Sequence, residues 1–267
     1  MPSPSLLPAR PLLVASDLDG TLLDHDGTPV PGAGEAVAEL VDAGALFVVV
    51  TGRPLQTARR ATGALGIEPR LYACYHGALV ADARGVVLRQ LPVPPDPGRA
   101  VIARALDAGL GVTMWDVDTP RELDAGSRLR DGPGPTVSRL VLHGDPAVVS
   151  ILLDELADEW AGRLRVSAIR AGYIGVYAAA VDKGDALRFA SSRLGVDDDR
   201  TVACGDGTAD ETLLAAAAVR VAVGGEPHAL GHLPGVVVTG WERLPDVLRA
   251  LVLPLLQAHR RVPGPGA

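Results

Sequence analysis

Two aspartates one residue apart follow an apolar run near the start of the chain. Asp17 and Asp19 come after residues 12–16, and Gly20 and Thr21 follow them directly. A short apolar run bounded by glycine predicts a buried strand. Two carboxylates about 4 Å apart at the end of such a strand repel by roughly 4 kcal/mol at an effective dielectric constant of about 20. Because a divalent cation commonly offsets such repulsion, the segment predicts a metal site.

Other polar residues occupy matching positions further along the chain. Thr51 follows a second apolar run, Lys183 begins a predicted helix, and Asp206 and Asp210 follow a third run. In a parallel α/β sheet the carboxyl ends of the strands meet at one edge, where ligands bind. Mg²⁺ prefers oxygen ligands, and lysine and threonine suit the oxygens of a phosphate group. A carboxylate at such a site can attack phosphorus and form a covalent intermediate.

The elements that must position these residues are predicted from apolar periodicity and from glycine and proline signals. Before residue 76 the order is strand, helix, strand, helix, strand, which indicates a parallel sheet with crossover helices. From about residue 86 strand pairs alternate with helices, which suits a smaller α+β domain. The parallel pattern resumes near Lys183. We therefore predict an α/β core formed by residues 1–82 and 182–267, interrupted by an inserted α+β domain at residues 83–181.

Four motifs in order resemble those of the haloacid dehalogenase superfamily of phosphotransferases, in the Cof-like branch with a large α/β cap (class IIB). They are Asp17-Leu18-Asp19-Gly20-Thr21-Leu22, Thr51-Gly52-Arg53, Asp182-Lys183-Gly184-Asp185-Ala186-Leu187 and Gly205-Asp206-Gly207-Thr208-Ala209-Asp210. The resemblance covers essentially the whole chain. Since Lys183 lies 132 positions after Thr51, the insertion falls where this branch carries its cap. The resemblance implies a Rossmann-like parallel sheet with helices on both faces and an inserted cap.

The resemblance also implies roles for individual residues. Asp17 is expected to be the nucleophile, and Asp19 the acid and base that protonates the leaving oxygen and then activates water. Thr51, Gly52 and Lys183 are expected to hold phosphate oxygens. The expected Mg²⁺ ligands are Asp17, the backbone carbonyl of Asp19, Asp206 and Asp210, the last directly or through water.

Departures from the family pattern leave some assignments open. Ala209 stands where the fourth motif usually has Asn, and His76 stands where Asn usually precedes glycine after the third core strand. Arg53 and His76 are possible substrate contacts, with structural roles as the alternative. In the cap the same choice is open for several residues, namely Trp115, Asp116, Arg121, Arg128 and Arg139.

The expected activity is Mg²⁺-dependent hydrolysis of a small phosphorylated metabolite, a sugar or polyol phosphate, through an aspartyl-phosphate intermediate. Two alternatives remain open. One is a phosphomutase or other phosphotransferase on the same scaffold. The other is a weakly active protein that binds sugar phosphates, which Ala209 and His76 motivate.

The amino-acid composition limits the classes of molecule that the chain is expected to bind. A net charge of −7 disfavours nucleic acids and anionic membranes, and an aromatic content of 3% disfavours platforms for single-stranded nucleic acid. The N-terminal sequence does not resemble a secretory signal, and Cys74 and Cys204 are expected to be buried structural thiols. A cytoplasmic monomer or weak homo-oligomer is expected.

Overall fold

The computed structural model describes residues 10–123, 133–225 and 228–258, so Arg128 lies outside the described residues. The chain divides into two compact units. The first contains the described residues of 1–51, 57–73 and 183–267, and the second contains those of 52–56 and 74–182. The limits of the inserted domain at residues 83 and 181 stay a prediction.

The strands vary from four to seven residues in length. In chain order they are β1 (Leu12–Ser16), β2 (Ala45–Val50), β3 (Leu71–Cys74), β4 (Leu79–Asp82), β5 (Val87–Gln90), β6 (Gly111–Asp116), β7 (Thr119–Leu123), β8 (Val137–His143), β9 (Leu164–Arg170), β10 (Tyr173–Ala178), β11 (Thr201–Gly205), β12 (Val219–Val223) and β13 (Val236–Thr239).

The α-helices are α1 (Ala33–Asp42), α2 (Leu55–Ala64), α3 (Pro95–Asp107), α4 (Pro146–Glu159), α5 (Lys183–Leu194), α6 (Glu211–Ala215) and α7 (Leu244–Ala258). None of the helices within the described ranges is long and apolar enough to cross a membrane. Helix α3 begins earlier than the predicted Arg99, because prolines are tolerated in a first helical turn. Helix α6 is shorter than the predicted helix 210–218, and a 3₁₀ turn over Thr208–Asp210 precedes it.

The first unit is built on a parallel sheet with the strand order β13-β12-β11-β1-β2-β3. Every residue of β1 and β11 is buried, as expected for central strands of a parallel sheet that is covered on both faces. Arg249 on α7 donates hydrogen bonds to both carboxylate oxygens of Glu39 on α1, at 2.7 and 2.9 Å. The prediction of a Rossmann-like α/β fold is confirmed.

The second unit contains a five-stranded antiparallel sheet in the order β7-β6-β8-β10-β9 and an antiparallel pair, β4 and β5. Alternate residues of β8 and β10, including Leu140, Leu142, Ile174 and Val176, form a hydrophobic core with residues of α3 and α4. The α+β character predicted for this region is confirmed. Cys74 and Cys204 are buried free thiols, as predicted.

Strands β4 and β7 were absent from the sequence-based prediction. Strand β7 has the sequence Thr119-Pro120-Arg121-Glu122-Leu123, is exposed over most of its length and lies at the edge of its sheet. A polar edge strand that contains proline does not show the alternation that identifies a half-buried strand.

Close packing between α1 and the end of α2 generates a test of the first unit. A Cβ atom added at Gly34 would lie 2.1 Å from the backbone carbonyl oxygen of Leu65, whereas one added at Gly63 would meet nothing within 4 Å. We expect Gly34→Ala to lower the free energy of unfolding by about 1–3 kcal/mol, because backbone must shift. Gly63→Ala, the matched control within α2, should raise it by about 0.5–1 kcal/mol. Urea denaturation measures both values, and equal effects would contradict this packing.

Candidate active site

The carboxyl ends of neighbouring parallel strands bring the first motif and the fourth together. Ser16 at the end of β1 pairs with Cys204 in β11, and the Asp17 amide donates to the Cys204 carbonyl oxygen at 3.0 Å. Asp17 therefore follows β1, and Asp206 follows β11, at the same edge of the sheet. Thr51 follows β2, the other neighbour of β1, and is fully buried.

Lys183 lies between two of the predicted site aspartates. It is the first residue of α5, and its Nζ is 2.8 Å from Oδ2 of Asp17 and 2.7 Å from Oδ1 of Asp210. Lys183 and Asp210 are each 1% exposed and Asp17 is 7% exposed. Residues separated by 166 and 27 positions along the chain thus form one buried ionic cluster.

The backbone fixes the orientation of both carboxylates. Oδ1 of Asp17 accepts a hydrogen bond from the amide of Leu18 at 2.7 Å, so its two oxygens have different partners. Oδ2 of Asp210 faces the amides of Asp206 and Gly207, at 3.3 and 3.4 Å. Each carboxylate therefore presents one oxygen to Lys183 and the other to backbone amides.

Asp206 packs directly against the backbone of the first motif. Gly20 has φ = +73°, and a Cβ atom there would lie 2.1 Å from Oδ2 of Asp206. Only glycine fits this position, both for its left-handed conformation and for the lack of space. The indole Nε1 of Trp241 donates to the Gly20 carbonyl oxygen at 2.7 Å, and the ring of His25 meets the Trp241 ring edge-on at 4.8 Å.

Trp241 and His25 are site neighbours that the sequence analysis did not identify. Trp241 lies 221 residues from Gly20 along the chain and belongs to none of the four motifs. No sequence signal points to it, because its role depends on a backbone carbonyl whose position only the folded chain defines.

The charges of the cluster suit a divalent cation. One oxygen from each of Asp17, Asp206 and Asp210 lies within 4.8 Å of the others, while Lys183 supplies a single positive charge. Burial raises the pKa of Asp17, Asp210 adds to the rise, and Lys183 opposes it only in part. Burial also raises the pKa of Asp206, and the charge of Asp17 adds to this rise. These oxygen donors and their excess negative charge fit Mg²⁺.

The pKa of Lys183 shows that its ammonium is held in the charged form. Burial lowers this pKa, but the nearby charges of Asp17 and Asp210 outweigh burial and raise the pKa above its usual value. The contacts with Asp17 and Asp210 therefore favour the charged form of Lys183.

Asp19 occupies a different position from the other aspartates of the site. Its side chain is exposed, and its carboxylate is not in the group formed by Asp17, Asp206 and Asp210. This agrees with an acid–base side chain that does not bind the cation. Metal binding by the Asp19 carbonyl stays a prediction.

The remaining predicted residues belong to the second unit. Gly52 lies against the ring of His76: a Cβ atom on Gly52 would be 2.9 Å from Cε1 of His76. The amide of Tyr75 donates to the Arg53 carbonyl oxygen at 3.3 Å. The structure thus brings Gly52, Arg53 and His76 together, while their roles toward a substrate stay predictions.

A buried aspartate–lysine cluster lies at the carboxyl edge of a parallel α/β sheet, and a third carboxylate, that of Asp206, lies close enough to share a cation with the other two. The sequence profile of the family described as haloacid dehalogenase-like hydrolase matches residues 14–119 and 130–232. The chain therefore belongs to the haloacid dehalogenase-like hydrolases. The prediction of this family from four motifs is confirmed.

Individual relatives agree with this membership. The chain is 28% identical over 233 residues to a phosphoglycolate phosphatase of Methanopyrus kandleri, which covers 85% of this chain and 90% of the relative. The fold of this chain is similar to that of a Thermotoga maritima protein, with a TM-score of 0.76 and 19% identity; the match covers 90% of this chain and 97% of that one. A sugar phosphatase of subclass IIB gives a TM-score of 0.71, 16% identity and coverage of 90% and 97%.

The position of Lys183 leads to a stability prediction. Lys183→Met leaves Asp17 and Asp210 buried without their counter-charge, so the free energy of unfolding in the presence of a chelator should fall by about 3–5 kcal/mol. Added Mg²⁺ should restore more stability to this variant than to the wild type, because the cation then faces a larger negative charge.

Urea denaturation with EDTA and with Mg²⁺ measures these effects. Arg193→Met, which removes an exposed cation from the same helix, is the matched control and should leave stability within about 0.5 kcal/mol of the wild type. A Lys183→Met protein as stable as this control would disprove the role of the ammonium.

The contact between Trp241 and Gly20 leads to a prediction about metal affinity. Trp241→Phe keeps an aromatic ring but removes the hydrogen bond to the Gly20 carbonyl oxygen. The backbone at Gly20, which packs against Asp206, is then held less firmly. Loss of such an outer partner typically weakens metal binding by about 10- to 100-fold. Isothermal titration with Mg²⁺ or Mn²⁺ measures the dissociation constant. Trp160→Phe in the second unit is the control, and an unchanged constant in Trp241→Phe would refute the positioning role.

Proposed function

We propose that this chain hydrolyses the phosphate monoester of a small metabolite through a phosphorylated Asp17, with Mg²⁺ as the cofactor. The observation that carries the proposal is the cluster of Asp17, Lys183 and Asp210, completed by Asp206, at the carboxyl edge of the sheet. That the chain is a phosphatase is supported by its family and by the phosphatases among its relatives.

The first half-reaction uses Asp17 as the nucleophile. One of its carboxylate oxygens attacks phosphorus, the bond from phosphorus to the leaving oxygen breaks, and Asp19 donates a proton to that oxygen. The hydrogen bond from Leu18 and the contact with Lys183 hold the Asp17 carboxylate in a fixed orientation, which favours in-line attack.

The second half-reaction releases inorganic phosphate. Asp19, now a carboxylate, takes a proton from water while the water oxygen attacks phosphorus, and the bond between phosphorus and Asp17 breaks. The exposure of the Asp19 side chain suits exchange of this proton with solvent.

Charge neutralisation is the other requirement of phosphoryl transfer. Mg²⁺ bound by Asp17, the Asp19 carbonyl, Asp206 and Asp210 would neutralise charge on the transferring phosphoryl group. Lys183, Thr51 and the Gly52 backbone would hold the remaining phosphate oxygens. Lys183 then has two functions, because it contacts the nucleophile as well as a cation ligand.

The relatives support a proposal for the substrate class. Sugar and polyol phosphates were expected from the sequence, and one structural relative is a sugar phosphatase. The relative from M. kandleri is named for phosphoglycolate, a small phosphorylated acid. A small phosphorylated carbon compound is common to both.

A test of the nucleophile uses Asp17→Asn. This variant should lose at least about 1,000-fold in kcat on any phosphomonoester that the wild type hydrolyses, because an amide oxygen is a poor nucleophile. Asp19→Asn should lose about 10²- to 10⁴-fold, the usual contribution of a general acid–base group. Phosphate release from a panel of phosphorylated metabolites, with Mg²⁺ and with EDTA, measures these values.

Asp26→Asn, at an exposed position in the following turn, is the matched control and should retain full turnover. Undiminished turnover in Asp17→Asn would refute the mechanism, and turnover that persists in EDTA would refute the metal. Transfer of phosphate to an acceptor without free phosphate would favour a phosphotransferase. Binding of sugar phosphates without turnover would favour the weakly active binding protein.

A further inference from the structure

Two buried hydrogen-bond donors lie on the same face of the sheet in the second unit. Leu140 of β8 and Val176 of β10 pair across the strands and point into the hydrophobic core. Side chains alternate between faces along a strand, so Arg139 and Tyr177 lie on the opposite face of adjacent strands. Arg139 is 8% exposed and Tyr177 is fully buried.

Arg139 is a buried cation held by aromatic rings rather than by a carboxylate. Its Cζ lies 4.7 Å from the ring centroid of Tyr75 and 5.3 Å from that of Trp115, its cross-strand partner. One Nη donates to the Gly52 carbonyl oxygen at 3.2 Å. Within the described ranges no carboxylate forms an ion pair with Arg139, and its buried Nε has no hydrogen-bond partner.

The hydroxyl of Tyr177 is also buried and also lacks a hydrogen-bond partner among the described residues. It lies over Gly175, where an added Cβ atom would be 2.6 Å from Oη, so a larger residue there would displace it. The ring of His76 meets the Tyr177 ring edge-on at 5.4 Å.

One strained turn links the two donors. Tyr75 contacts Arg139, the next residue, His76, contacts Tyr177, and both have left-handed backbones, with φ of +51° and +57°. Each such non-glycine residue costs about 1–3 kcal/mol and persists where its surroundings over-determine it, often at binding sites. The Tyr75 hydroxyl donates to the Val117 carbonyl oxygen, so Tyr75 supplies a ring to Arg139 and its donor is already used.

We propose that Arg139 and Tyr177 form an anion subsite that binds a carboxylate on the substrate's leaving group. This rests on the proposed phosphatase function and narrows its substrate to small phosphorylated carboxylic acids. A buried, uncompensated guanidinium is costly, and a carboxylate matches its planar donors better than a neutral hydroxyl does. The Tyr177 hydroxyl can donate a hydrogen bond to an oxygen of the same carboxylate.

The chain itself links this subsite to the phosphate-binding residues. Arg139 bonds to Gly52, which directly follows Thr51 in the second motif. The segment expected to hold the phosphate group therefore continues into the segment that holds the guanidinium.

The test compares substrates whose leaving groups differ in charge. Steady-state kinetics would use 2-phosphoglycolate and 3-phosphoglycerate as phosphorylated acids and glycerol 3-phosphate as the analogue with a neutral leaving group. Fructose 1,6-bisphosphate would supply a leaving group that carries a second phosphate. For Arg139→Met we expect kcat/KM to fall about 10- to 100-fold on the acids and less than about threefold on glycerol 3-phosphate. Tyr177→Phe should show the same selectivity with a smaller loss, about three- to tenfold.

Two further proteins make the result decisive. Arg163→Met is the matched control, because Arg163 also stacks on a tryptophan, Trp160, but is exposed. Arg139→Lys keeps the positive charge and should recover part of the activity on acids only. If Arg139→Met does not fold, Arg139→Lys and Tyr177→Phe carry the same comparison.

Several outcomes would overturn the proposal. Equal losses on acids and on glycerol 3-phosphate would mean that Arg139 only supports the Gly52 segment. Selective loss on the bisphosphate, with the acids unaffected, would assign the subsite to a phosphate. If the wild type hydrolyses nothing, the proposed function fails separately. Calorimetric binding of 2-phosphoglycolate, compared between wild type and Arg139→Met, then still decides the subsite: binding lost in the variant supports it, and equal binding or none refutes it.

Discussion

The buried contact of Lys183 with Asp17 and Asp210 is the interaction on which the candidate site depends. The carboxylates of Asp17 and Asp210 are buried, and that of the half-buried Asp206 lies within a few ångströms of them. The ammonium of Lys183 is the one cation with which the described structure pairs Asp17 and Asp210. An isolated buried charge costs several kcal/mol, and the cluster is tolerated because Lys183 and backbone amides satisfy its members. The negative charge that remains makes the cluster receptive to a divalent cation.

Close backbone approach is the second constraint. Gly20 and Gly205 leave no room for a side chain because Asp206 and Asp210, respectively, occupy that space. The carboxylates can therefore reach one another across two strand ends without long side chains. Trp241 fixes one of these backbone segments from a distant part of the chain. The site is held by glycine packing and by single hydrogen bonds to carbonyl groups as much as by its charged residues.

The second unit differs from the first in the charge that it buries. The parallel sheet of the first unit has a group of carboxylates at its edge. The antiparallel sheet of the second unit carries the guanidinium of Arg139 between aromatic rings, with the buried hydroxyl of Tyr177 on the same face. In a chain with few aromatic residues, Trp115 and Tyr177 on this face, together with the turn residue Tyr75 that contacts Trp115 and Arg139, are a concentration of ring surface. A cation packed against aromatic rings is desolvated and yet stabilised by them.

Much of the fold, and the residues that form the candidate cluster, could be predicted from the sequence by itself. Helix α5 and strands β10 and β12 were predicted with their observed limits, because apolar periodicity and glycine signals mark them clearly. The polar edge strand β7 carries no such pattern and was missed.

The motif residues Asp17, Lys183, Asp206 and Asp210 were identified because their chemistry and spacing are local properties of the chain. Only the tertiary structure decided which oxygen of each aspartate faces Lys183 and that Trp241 supports Gly20. It also decided that Arg139 and Tyr177 are buried and that, among the residues the structure describes, no carboxylate pairs with them. Those facts depend on packing between residues far apart in sequence, and no local pattern encodes them.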